Sequence, residues 1–151
     1  MAIVRGQTRV LVRHHGDTEA LRKQSTMLIE EELTEQIIGA AIEVHRELGP
    51  LVSSNLHMTN AFATNCTCCD LNFQRQVVVP VVYKGLALDC GYRLDVLVQD
   101  AVIVEIKSLE HILPIHQAQL LTYLRLTKKR LGLLIDFNVA ILKNGIVRRV
   151  L

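Results

Sequence analysis

Three residues near the middle of the chain have the types and spacing for phosphate chemistry: Asp95, Glu105 and Lys107. Two carboxylates facing each other repel, so a proton, a basic neighbour or a cation must offset them. A hard divalent cation such as Mg²⁺ takes one or two carboxylates together with water and phosphate oxygens. With a lysine on the same face, the set suits metal-assisted attack of water on a phosphodiester. The alternative is a surface hairpin with solvated charges, because Glu-x-Lys also occurs on exposed strands.

What must position these residues is the stretch Tyr92 to Lys107. Leu94, Val96 and Val98 alternate with Asp95 and Leu97, and Val102, Val104 and Ile106 alternate with Ile103, Glu105 and Lys107. Period-two alternation marks strands with two different faces, and the polar pair Gln99-Asp100 marks the turn. A two-residue loop there would pair Asp95 with Val104 and mix the faces. A three-residue loop, Gln99 to Ala101, pairs Leu94 with Ile106, Val96 with Val104 and Val98 with Val102. Burial of that apolar face selects the second register. It sets Asp95 opposite Glu105, with Cβ atoms roughly 5 Å apart. Lys107, two residues from Glu105, shares its face, and Asp89 and Arg93 share that of Asp95. Arg93 reads as a phosphate or carboxylate partner, or as a plain structural ion pair.

Asp95, a hairpin, then Glu105-Ile106-Lys107 resembles the core of the PD-(D/E)XK nuclease superfamily. The flanking text is similar to the bacterial GxxExxY family. The stretch from Leu33-Thr-Glu-Gln-Ile-Ile-Gly-Ala-Ala-Ile-Glu-Val-His-Arg-Glu-Leu to Gly49-Pro50 resembles its opening helix. Gln74-Arg-Gln, Tyr83-Lys-Gly, Leu88-Asp-Cys-Gly-Tyr-Arg-Leu-Asp95, Pro114-Ile-His-Gln-Ala-Gln-Leu-Leu-Thr-Tyr123 and Leu131-Gly-Leu-Leu-Ile-Asp-Phe-Asn138 continue it in order. The resemblance implies an α/β fold, a mixed central β-sheet flanked by α-helices. It implies a phosphodiester hydrolase acting on nucleic acid, with Asp95, Glu105 and the Ile106 carbonyl holding Mg²⁺ (or Mn²⁺). Lys107 would position or activate water. The helix after the Glu-x-Lys strand would lend a polar residue, Gln119 foremost, then His116 and Tyr123. A hydrogen-bonded helix surface is the alternative for these three.

The chain has 151 residues and is 50% hydrophobic, enough for one buried core and one domain. No apolar run is long enough to span a membrane, and no secretory signal is visible, so a cytoplasmic setting is the default expectation. Residues 1–26 carry five basic and two acidic residues, a net of +3. The whole chain is +2, which leaves −1 for 27–151. The domain is therefore expected over 27–151. The segment 1–26 is either a basic arm for nucleic acid or an over-extended reading, with translation starting at Met27.

Within the domain, Thr34 reads as an N-cap, with Glu35 in the first helical turn. Ile37, Ala41, Val44 and Leu48 share one helical face, and Gly49-Pro50 ends the helix. His45 beside that face reads as a packed or surface histidine. Val77 to Val79 favour strand, and Leu86 to Val98 reads as the strand carrying Asp95. Gln117, Leu120, Leu121 and Leu124 form the inward stripe of the helix opened by Pro114. Arg125, Lys128, Lys129 and Arg130 either contact phosphates or complement the helix dipole. Leu131 to Phe137 reads as a central strand covered on both faces, and Asn144-Gly145 as a hairpin turn.

Leu51 to Asp70 departs from the family. Its Gly, Glu and Tyr are replaced here by Leu51, Ser54 and His57, in a segment with poor helical periodicity and many weak helix formers. Read from the last base of each codon, Leu51-Val52 can give glycine, Ser54-Asn55 glutamate and His57-Met58 tyrosine. Met58-Thr59 must give aspartate, and Asn65-Cys66 and Cys68-Cys69 must both give leucine. The product is an amphipathic helix with the missing motif, as two compensating frameshifts would leave. Cys66, Cys68 and Cys69 are then incidental. With Cys90 or His57 they lack the paired spacing of zinc sites in any case. Ser54 cannot replace the charge of the acidic residue that the resemblance implies. The rival readings are therefore a non-catalytic nucleic-acid or protein-binding module that keeps the fold, and a defective product that folds poorly.

Overall fold

The computed structural model describes residues 15–50, 54–88 and 91–151. Leu51, Asp89, Cys90 and the arginines at 5, 9 and 13 lie outside the described residues. The elements run α1 (His15–Leu48), α2 (Asn55–Cys68), β1 (Phe73–Val78), β2 (Val81–Tyr83), β3 (Leu86–Leu88), β4 (Arg93–Val98), β5 (Val102–Lys107), α3 (Pro114–Thr127), β6 (Leu131–Asp136) and β7 (Ile146–Val150). Five strands form one mixed sheet in the order β1-β4-β5-β6-β7. All its neighbouring pairs are antiparallel except β5 and β6, whose parallel pairing is made by the α3 crossover. The fold is thus the expected mixed α/β sheet flanked by helices. Among the described residues, no helix is long and apolar enough to cross a membrane.

The two sheet faces bury different partners. Val96, Val98, Val102, Val104, Ile106, Leu131, Leu133 and Ile135 pack with α1 and α2 through Ile37, Ala41, Val44, Met58 and Phe62. Leu97, Ile103 and Leu134 pack with Leu120, Tyr123 and Leu124 of α3. All six residues of β6 are buried, as a central strand covered on both faces requires. Gly132 lets α3 come close: a Cβ there would lie 2.6 Å from Leu120 Cδ1.

Several expectations are corrected. Thr34 is not an N-cap. The helix is already running, and its hydroxyl donates to the Glu30 carbonyl one turn back. Leu48 is exposed, while Leu33 and Ala40 join Ile37, Ala41 and Val44 in the core. The helix does end at Gly49, which takes φ +72 and donates its N–H to the His45 carbonyl. The segment after Ser54 is a helix despite its weak formers. Met58, Phe62 and Cys66 recur one turn apart and are buried. Full burial of a side chain like Phe62 contributes roughly 1.5–3 kcal/mol, against a helix-propensity cost of at most about 0.7 kcal/mol for any one ordinary residue, so the buried positions together offset the weak formers.

Leu86 to Val98 is not one strand. Its ends lie in separate sheets, with Leu86–Leu88 paired to Val81–Tyr83 around the left-handed Lys84-Gly85 turn. The Asn144-Gly145 signal does not make a two-residue hairpin; Leu142–Gly145 is a 3-10 turn feeding β7. Gly145 is required there because a Cβ would run into the Asp136 carbonyl. On α3, Gln117 and Leu121 are only half-buried and Tyr123 takes the inward place. The basic cluster at its end is partly engaged: Lys129 donates to Asp100, and Arg130 lies 3.9 Å from Glu30.

Candidate active site

The β4–β5 hairpin is built in the expected register, Val96 opposite Val104 and Val98 opposite Val102. Gln99 and Asp100 both take φ +52, the left-handed pair that a tight hairpin turn needs, and Ala101 N–H donates to the Val98 carbonyl at 2.9 Å. One residue past Val96 the backbone ladder gives way to side chains. Asp95 N–H donates to Glu105 Oε1 at 3.2 Å, and Ile106 N–H donates to Asp95 Oδ2 at 2.9 Å. The two carboxylates thus satisfy each other's strand at the point where the strands part.

The parting coincides with a change of face. Phe73 packs with Val96 and Val98 on the α1/α2 side, whereas Val77 and Leu94 belong to the α3 side. On a regular strand, residues an even number apart share a face, so both β1 and β4 turn over between these positions. Gln76 of β1, at the level of Asp95, takes φ +52. Leu94 therefore does not share a face with Ile106, contrary to the parity argument. The turn-over places Asp95 at a break between two packing clusters.

Glu105 is 2% exposed. Burial pushes its carboxyl up to about 7, the neighbouring Asp95 carboxylate adds to the rise, and Lys107 opposes it. Lys107 Nζ lies 3.5 Å from Glu105 Oε2, and Lys107 itself is largely buried. In an extended strand the N–H and C=O of one residue project to the same edge. The Ile106 carbonyl therefore lies on the Asp95 side of β5, as its N–H does. The Lys107 carbonyl lies on the other side and accepts from Phe137 N–H at 2.9 Å.

Of the helix candidates, two come together at this end. Gln119 Nε2 donates to the Tyr123 hydroxyl at 2.7 Å. That hydroxyl also takes a backbone hydrogen bond from Arg93, and it is near enough for Glu105 and Asp95 to act on it. Burial foremost, and then these carboxylates, hold the phenol above its ordinary value. His116 is turned to another task, its Nδ1 accepting from Leu113 N–H at 3.1 Å at the start of α3. The Arg93 side chain is exposed and makes no ion pair with a described residue. His45 is packed, Nε2 donating to the Val139 carbonyl at 2.7 Å.

One residue went unnoticed in the sequence. Asp136 ends β6 opposite Lys107 and is 1% exposed. Its Oδ1 accepts from Leu109 N–H and Asn138 N–H, both at 3.1 Å, and Asn138 Nδ2 donates to the Leu109 carbonyl. Asp136 thereby fixes the chain two residues beyond Lys107. The only signal was an acid closing an otherwise apolar strand.

The donor set fits a divalent cation in part. Two carboxylates that repel, one of them held near neutrality by burial, gain from a cation between them. Yet among the described residues no three His, Cys, Asp or Glu side chains converge. Ser54, where a further acid was expected, is exposed at the N-terminus of α2. Cys66 is buried with its thiol pushed up to about 12, while Cys68 and Cys69 are exposed. A family model described as the PD-(D/E)XK nuclease superfamily matches residues 31–150. No curated protein and no solved structure matches the chain.

Proposed function

The chain belongs to the PD-(D/E)XK nuclease superfamily, and from this premise we propose that it is a metal-dependent phosphodiester hydrolase acting on nucleic acid, with an incomplete acidic set. The observation that carries the reading is the mutual capping of Asp95 and Glu105 beside Lys107. Nucleases of this superfamily generally use divalent metals, and Mg²⁺ or Mn²⁺ suits an all-oxygen site. Asp95, Glu105 and the Ile106 carbonyl are the groups that would hold it. When bound it supplies Lewis-acid polarisation of the phosphoryl oxygen. Lys107 orients the attacking water and stabilises the charge that develops on the phosphoryl oxygens. Gln119 acts through Tyr123, holding the phenol against the carboxylate end of the hairpin.

In this reading Ser54 limits the rate, since it leaves the cation with two carboxylates instead of three. The stretch Leu51 to Asp70 is then an out-of-frame copy of a helix that once carried glutamate at position 54. Resequencing the codons from Leu48 to Gln74 tests that directly. A continuous frame encoding Gly, Glu and Tyr means that the sequence is in error over this stretch and the protein has its full acidic set, whereas reads confirming Leu51, Ser54 and His57 mean that the frameshift is real and the protein itself carries the two-carboxylate site.

Cleavage of a labelled oligonucleotide with Mg²⁺ tests the function. Ser54→Glu is expected to raise the rate, and Lys107→Ala in that background to lower it by roughly 100- to 1,000-fold, the usual effect of losing one charge-stabilising donor. Mg²⁺ should also raise the Tm of the unaltered chain at pH 8 and leave that of Glu105→Gln unchanged. The absence of metal-dependent cleavage in both the chain and Ser54→Glu would overturn the reading. A second reading is a binding module that keeps the fold. Two carboxylates where the site calls for three favour it, and it expects Lys107→Ala to have no cleavage to lose.

A further inference from the structure

Beside the carboxylate end of the hairpin lies a cavity of about 300 Å³, lined by Tyr92, Ile115, His116, Ala118, Gln119 and Tyr123. This is at the low end of the range for small-molecule sites, roughly 300–1,000 Å³. We infer that this cavity takes a single unpaired nucleobase, stacked on Tyr92, from the strand whose phosphate lies at Asp95 and Glu105, so that the substrate is single-stranded nucleic acid.

The walls carry the argument. Tyr92 is 40% exposed. It is held by an edge-on contact with Tyr123, centroids 5.9 Å apart at 67°. The ring thus stands in the cavity wall, steadied by Tyr123 and open enough to solvent to meet a planar partner. Ile115, 66% exposed on the first turn of α3, supplies an apolar second surface. Stacking between an aromatic ring and a base needs no particular base, because every base has a π-face.

The polar groups suit a base edge. His116 Nδ1 accepts from Leu113 N–H, which places the proton of the neutral ring on Nε2 and makes that nitrogen a donor. Gln119 gives one of its two amide N–H groups to Tyr123, and its Oε1 makes no hydrogen bond with a described residue, which leaves an acceptor. A donor and an acceptor on adjacent turns of one helix match the mixed edge of an unpaired base. A paired base has already spent that edge.

Location and charge agree. Tyr92 precedes Asp95 by three residues, roughly 10 Å along an extended strand, and Tyr123 touches both the cavity and the surroundings of the carboxylates. A base in the cavity therefore belongs to a nucleotide close to the scissile one. Duplex binding draws on many phosphate contacts from basic side chains. Residues 27–151 carry a net charge of −1, the +2 of the chain less the +3 of residues 1–26, so stacking has to supply what charge does not.

The inference rests on the phosphodiester reading for where the phosphate sits, and the test separates the two. Fluorescence anisotropy is measured on the full chain with a labelled short single strand of DNA or RNA, the same strand with a central abasic site, and the matching duplex. Ca²⁺ replaces Mg²⁺ to prevent cleavage. The single strand of at least one sugar type should bind at least about tenfold tighter than the duplex. Tyr92→Ala should weaken it by roughly five- to a hundredfold, while Tyr92→Phe keeps the affinity and far-ultraviolet circular dichroism confirms that both stay folded. Equal affinity for strand and duplex, no binding of either, or a folded Tyr92→Ala that binds unchanged would overturn the inference. Single-strand preference without cleavage, even in Ser54→Glu, would sink the nuclease reading and leave the pocket. Cleavage of duplex without strand preference would do the reverse.

Discussion

The two ends of the β4–β5 hairpin use the same strands in one register and are held in opposite ways. At the closed end Val98 faces Val102, the backbone closes its own turn, and Lys129 clamps that turn by donating to the Asp100 carbonyl and carboxylate at 2.7 and 2.8 Å. At the open end the ladder stops and carboxylates take the amide hydrogens. The closed end therefore spends exposed, replaceable groups on staying shut. The open end spends buried acid on staying apart, and only such a gap leaves carboxylate oxygens and a strand carbonyl facing one another.

That contrast can be broken from the outside inward. Asp136→Ala should do the most damage. Two amides lose their acceptor beside the exit of β5, at a cost of roughly 4 kcal/mol, and Lys107 loses its anchor. Urea unfolding should show the loss, and any cleavage activity should fall with it. A folded Asp136→Ala of unchanged stability would show that the open end does not depend on this support.

Next comes the pH dependence of the metal-free chain. The Glu105 carboxyl is raised to about 7 from an ordinary value of 4.5. Across that window the native state keeps a proton that the unfolded chain has released. Stability therefore falls as pH rises from about 4.5 to 7 and stays low above it. The full shift corresponds to about 3 kcal/mol. Glu105→Gln should flatten this dependence and be the more stable protein at pH 8, as judged by Tm across a pH series. A wild-type profile as flat as that of the variant would contradict the burial of this acid.

The closed end should respond least. Lys129→Ala removes a contact to an Asp100 carboxylate that is mostly exposed, and such pairs are worth less than about 1 kcal/mol. The change should shrink further in high salt. A larger, salt-independent effect would mean that the turn, not the sheet, sets the register.

How much of this was legible in the sequence follows from what each feature rests on. The hairpin register was readable because alternation and burial choose it locally, and Asp95, Glu105 and Lys107 fall where that register puts them. The turn-over at Leu94 was not, because parity assumes an unbroken strand. The residue that breaks the pattern next door is Gln76, where no glycine or asparagine announces a positive φ. The helix at Asn55–Cys68 was hidden by poor intrinsic propensity, which tertiary burial of Met58, Phe62 and Cys66 overrides. Thr34 misled for the converse reason: a good capping residue caps nothing when the preceding residues are already helical. Asp136 sat in an apolar run, and its role exists only once β5 and β6 lie side by side.

The first helix carries a consequence of a different kind. It extends for 34 residues, about 50 Å. Residues 18–28 are exposed throughout, Leu21, Met27 and Leu28 among them, and Leu33 is the first core residue among those described along it. That outer half is sustained by its own hydrogen bonds and surface pairs such as Glu19–Lys23, and a free helix of that length is marginal in water. One continuous rod thus has two lifetimes. Amide protons before Leu33 should exchange with solvent orders of magnitude faster than those of Ile37 to Val44, and trypsin should find Arg22 and Lys23 while the sheet is still intact.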